Sequence, residues 1–119
     1  MSQVDEAATH QQAAIQELNV MKNERSEAEE ICRAAKIALR NASLEEKAKW
    51  EWEVDKAEDE VARLRWEVAK AEMKAVMATG QTGDLHNLQK EADVYRDAYH
   101  KRISGQQAIL IFTCVCMHA

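Results

Sequence analysis

Two long trains of apolar residues, each stepping by three and four, constrain this chain more than any other feature. The first runs Val4, Ala7, Gln11, Ala14, Leu18, Met21, Arg25, Ala28, Cys32, Ala35 and Leu39, with nine of eleven positions apolar. The second runs Trp50, Val54, Ala57, Val61, Leu64, Val68, Ala71, Ala75 and Ala78, all of them apolar. Steps of three and four keep returning to one stripe of a helix, the seam of a coiled coil. No proline occurs in the 119 residues to break either train. An all-α fold follows, with one helix over about 4–40 and a second over about 44–79.

Between the trains lies "RNASLEEK". Ser43 followed by Glu46 forms the pattern of a capping box, and Asn41 is a residue that can end a helix in the left-handed conformation. The spacing therefore predicts a long antiparallel hairpin. The competing arrangement is one continuous helix, since the eleven residues from Leu39 to Trp50 make a stutter that helices tolerate. "TGQTGDL" ends the second helix, with Gly80 at its C-terminus and Thr82 or Asp84 capping the next. A third helix over about 84–103 carries Leu85, Leu88, Ala92, Tyr95, Tyr99 and Ile103 as one apolar stripe. Ser104-Gly105 is expected to interrupt it and leave an apolar tail over 106–119. That tail suits helix or strand. A single helical domain accounts for 1–119.

Trp50 and Trp52 pose a problem, because residues two apart lie about 200° apart on a helix. Trp52, Trp66 and Met73 share one heptad position, and Ala62, Ala69 and Val76 share another. This second stripe is centred about 150° from the seam. A helix apolar on two nearly opposite faces needs two neighbours. The first helix is one; the other is either the third helix or a partner, a second protein or a second copy of this chain. Trp and Met are enriched where partners dock. Trp52, Trp66 and Met73 are therefore candidate partner-binding residues, as are Ile109, Ile111 and Phe112 in the tail, whose apolar run "AILIFTCVCM" needs a cover.

Charge narrows the functional classes. The formal net charge is −5, with five basic against seven acidic residues over 1–42, seven against ten over 43–79, and four against four beyond. No segment has the basic footprint of direct nucleic-acid binding. Acidic residues from Glu45 to Glu60 crowd the first half of the second helix, while Arg63, Arg65, Lys70 and Lys74 dominate its second half. That order complements the helix dipole and reads mainly as a solvated face. It also leaves room for an acidic surface that engages a basic partner. The opening "MSQVDEAATHQQ" lacks the basic and apolar regions of a signal peptide, and no run approaches the ~20 apolar residues of a membrane span. Three cysteines in that setting suggest free thiols and a cytoplasmic location; "NAS" at 41–43 is then a chance sequon.

Candidate chemistry is thin. Cys114, Cys116 and His118 alternate as soft metal ligands would on an extended tail, but a structural zinc site needs four ligands. "CMHA" formally fits a prenylation box, with His118 where an aliphatic residue belongs and no polybasic stretch before it. Asp97 and His100 echo the acid-x-x-His motif of carboxylate-bridged di-metal bundles, but such a site needs two such motifs and two further glutamates, and the one copy here begins with Asp. No phosphate loop, nucleophile with a base, or carboxylate pair in an apolar setting is present. No catalytic residue, metal or cofactor is expected. The sequence points to a non-enzymatic interaction or assembly module, a homo-oligomer or a subunit of a complex, working by helix-on-helix packing. Its rival is a small acidic helical inhibitor that blocks a larger enzyme or nucleic-acid-binding complex.

Overall fold

The computed structural model describes residues 3–80 and 84–118, with side chains described over 8–80 and 84–105. Helix α1 spans Gln3–Arg40, α2 spans Lys47–Thr79 and α3 spans Leu85–His118. The seams predicted from spacing are the faces that meet. From Gln11 to Leu39, and from Trp50 to Ala78, every seam residue is buried or half-buried. Ala28 and Cys32 of α1 form a core cluster with Val61 and Leu64 of α2. The pairs Glu17–Lys74 (2.9 Å) and Lys36–Glu58 (3.4 Å) show that the two helices run antiparallel. The chain turns back at residues 41–46, so the hairpin forms and the continuous helix does not.

The turn itself is built differently from expectation. The Glu46 amide donates to the Ser43 carbonyl at 3.1 Å, so it is not free for the Ser43 hydroxyl. The capping box therefore does not form. Helix α2 begins three residues later than predicted, at Lys47, with Glu46 in the N-cap position (φ −91°, ψ −11°) and no side-chain cap bond. Asn41 does not adopt the left-handed conformation either, since no non-glycine among the described residues has positive φ. Instead α1 tightens at its end, the Ala42 amide donating to the Leu39 carbonyl at 3.3 Å. Gly80 does end α2 as predicted: its φ of 76° is left-handed, and its amide donates to the Met77 and Val76 carbonyls. The Asp84 carbonyl accepts the Leu88 amide at 3.0 Å and starts α3; Thr82 lies outside the described residues.

Helix α3 corrects a second expectation. It passes through Ser104-Gly105 and continues to His118, so the tail is helix rather than strand. One interior glycine costs a helix about 1 kcal/mol, too little to end one flanked by good formers such as Gln106, Gln107 and Ala108. Among the described residues there is no strand against which the β-branched run could pair.

The Arg102–Asp59 and Trp66–Tyr99 contacts lay α3 antiparallel on α2. All six residues of its predicted stripe, Leu85 to Ile103, are buried or half-buried. Helix α2 touches both neighbours, whereas no Cα of α1 comes within 8 Å of one in α3 among the described residues. Three helices thus lie side by side in a body of 66 × 33 × 26 Å, with α2 in the middle. That placement is why α2 needs apolar residues on two sides.

Candidate interaction surface

On its α3 side, α2 offers aromatic and ionic contacts beside one closed apolar position, Ala92 of α3, which is 2% exposed. The Trp66 ring lies 6.0 Å from Tyr99, and His100 meets it edge-on at 5.3 Å. Lys70 Nζ sits 4.0 Å from the Trp66 ring centroid, within cation–π range. Farther along, the Arg102 guanidinium is held by three carboxylates of α2. Its Nε donates to Asp59 Oδ1 at 2.7 Å, Nη2 donates to Asp55 Oδ1 at 3.0 Å, and Nη1 lies 3.4 Å from Glu58 Oε2. Partial burial works to lower the Arg102 pKa, but the Asp59 hydrogen bond and the three negative charges prevail and raise it. Glu58 also faces Lys36 of α1, so its carboxylate links all three helices.

These contacts decide where the sequence-predicted site residues belong. Trp66 is taken by α3 and is half-buried there, and Met73, one heptad along, is half-buried too. Trp66 therefore has an intramolecular neighbour in α3, whereas Met73 is placed only as half-buried on the same side of α2. Trp52 differs. It is 59% exposed, with Lys56 Nζ 4.9 Å from its ring. Ile109, Ile111 and Phe112 lie on α3 outside the described side chains. Asp97 pairs with Arg96 while His100 turns to Trp66, so the two do not converge. No three His, Cys, Asp or Glu side chains gather at metal-binding distance among the described residues, where Cys32 is a buried free thiol. Cys114, Cys116 and His118 fall outside them. No described helix is long and apolar enough to cross a membrane.

Several grooves flank the middle helix, and two of them lie near the 41–46 turn. One, of about 450 Å³, has Cys32, Val61 and Ala98 at its base and a charged rim that includes Arg33, Lys36, Arg65 and Arg102. The other, of about 590 Å³, lies between α1 and α2 with no described residue of α3 in its lining. Ile31, Ala34, Ala35, Trp50 and Ala57 make its apolar wall, with Glu53, Lys56 and Glu60 at the edge. Ile31 is 65% exposed beside it. Sequence reasoning missed this groove, although a signal was present: Ile31, Ala34 and Ala38 recur at i, i+3 and i+7 beside the α1 seam. The small alanines leave room for the groove between the two helices.

Comparison with protein-family models, curated proteins and solved structures finds no match for this chain.

Proposed function

We propose that this chain is a non-enzymatic protein-interaction or assembly module of the cytoplasm that works by docking helices against its surface. The supporting observation is the apolar groove between α1 and α2, bordered by the exposed Ile31 and walled by Trp50. Large apolar side chains around a concave surface mark binding sites more often than chance exposure does. The exposed Trp52 adds a second apolar anchor on α2. Partners are another protein or a second copy of the chain, in a homo-oligomer or a larger complex, with no direct contact to nucleic acid.

The rival reading, an acidic inhibitor, depends on free negative charge on α2. Several of those carboxylates are engaged internally: Asp55, Glu58 and Asp59 with Arg102, and Glu60 with Arg63. That leaves less charge to offer a basic partner. Capture experiments at low and high salt, with the wild type and an Ala34→Arg variant, separate the two readings. Apolar docking persists at high salt and is lost in the variant. Capture that salt abolishes and Ala34→Arg leaves intact supports the inhibitor instead.

A further inference from the structure

We propose that the segment Ala108–Met117 of one copy occupies the α1–α2 groove of a second copy, and reciprocally, so that the chain forms a two-fold dimer. This rests on the reading of the groove as a helix-docking surface and names its occupant. Helix α3 continues to His118, and residues 108–117 contain no charged side chain. Arg102 lies level with Asp55–Asp59 of α2, which begins at Lys47. Counting residue for residue from the Arg102–Asp59 and Trp66–Tyr99 contacts, the last two turns of α3 run alongside the first turns of α2 near Lys47. A helix apolar all round needs cover on every side, and α2 supplies at most one.

The chain's own groove cannot supply the rest. Helix α3 is uninterrupted and lies on the other side of α2, with none of its described residues in the groove lining. A second copy has what is missing. Its groove follows α2 from Trp50 to Glu60, ten steps or about 15 Å of helix, and Ala108–Met117 is about 14 Å long. The segment is neutral, so the mixed-charge edge of Glu53, Lys56 and Glu60 opposes nothing on it. Groove and segment also sit at the same end of the molecule, the end bearing the 41–46 turn. A two-fold axis near that end can bring each segment onto the other copy's groove, as an isologous interface requires.

The test uses the full chain and two variants, Ala34→Arg in the groove and Phe112→Arg in the segment, both adding positive charge so that no new attraction arises between them. Light scattering and sedimentation of the wild type should give a dimer. Each variant alone should weaken it by about tenfold or more, as loss of an interface anchor does. Mixing the two should restore dimers, because each mixed pair keeps one intact segment on one intact groove. Val115→Arg, in the same mixture, serves if Phe112→Arg loses helical circular dichroism. A monomeric wild type, a dimer indifferent to both variants, or a mixture no better than its components each overturns the proposal. A monomer that still captures a different protein in an Ala34-dependent way overturns this inference alone and leaves the proposed function standing.

Discussion

Toward α1, helix α2 presents Val61, Leu64, Val68, Ala71 and Ala75, none more than 7% exposed, whereas toward α3 it presents a half-buried Trp66 and Met73 beside Asp55 and Asp59. The first interface is small, apolar and closed. The second buries Ala92 of α3 but is otherwise held by ring contacts and an arginine clamp that water still reaches. Burial of a Val or Leu contributes about 1.5–3 kcal/mol, whereas an exposed ion pair contributes about 0–1 kcal/mol. The difference teaches that the hairpin of α1 and α2 is the stable unit, and that α3 is the element that can open first.

The largest expected effect lies at the closed interface. Leu64, 3% exposed, sits at the centre of the core cluster, and Leu64→Ala should destabilise the fold by about 2–5 kcal/mol in urea titration. All three helices should lose amide-exchange protection together, since the hairpin carries α3. Loss confined to α3 would break the comparison.

Trp66→Ala comes next. A fully buried Trp costs about 3–5 kcal/mol on truncation; half-buried Trp66 should cost about 2 kcal/mol. Exchange should quicken along Leu85–Ile103 while the α1–α2 seam stays protected. Equal loosening of α1 would show that the two interfaces are not separable.

Arg102→Gln should cost about 1 kcal/mol and shrink as salt rises, because screening weakens the clamp that it removes. The same substitution leaves Asp55, Glu58 and Asp59 facing one another on a single stretch of α2. A salt-independent loss would mean that the side chain acts through its apolar stem.

The smallest effect belongs to Glu60, which is outside both interfaces and bonded to Arg63. Glu60→Ala should lie within about 0.5 kcal/mol of wild type. The Arg63 hydrogen bond, outweighing partial burial, holds the Glu60 carboxyl below its usual pKa. A lowered pKa stabilises the fold above the ordinary carboxylate range, and the benefit fades as pH falls through the folded value. Glu60→Gln should therefore remove a shallow part of the acid-side decline in stability below about pH 4, read from urea midpoints across that range.

Much of the fold was legible because it repeats. From Gln11 onward every seam residue of α1 and α2 falls at a buried or half-buried position, since a stripe of period 3.5 has nowhere else to go when two helices meet. Gly80 was legible because the left-handed conformation favours glycine. The turn was legible as a break but not in its bonding. The Glu46 amide had two acceptors on Ser43, the hydroxyl and the carbonyl, and the residue types do not choose between them. Ser104-Gly105 misled for a related reason, since a glycine outside a left-handed turn weakens a helix without ending it.

The site was less legible than the fold. Trp66 and Trp52 occupy the same heptad position, and by pattern alone they share one fate. The structure separates them: Trp66 meets Tyr99 and His100, while Trp52 remains 59% exposed. The groove beside Ile31 was obscured because its alanines look like ordinary helix formers.

By itself the sequence determined three helices, the seam along which the first two pair, and a middle helix needing neighbours on both sides. Those properties are periodic and local, set by where apolar side chains recur around one helix axis. Only the tertiary structure decided that α3 is the second neighbour and that Arg102 reaches three carboxylates some forty-five residues away. The same is true of the apolar groove left open between α1 and α2. Such outcomes depend on register and crossing between helices distant in sequence, where a shift of one turn changes every partner.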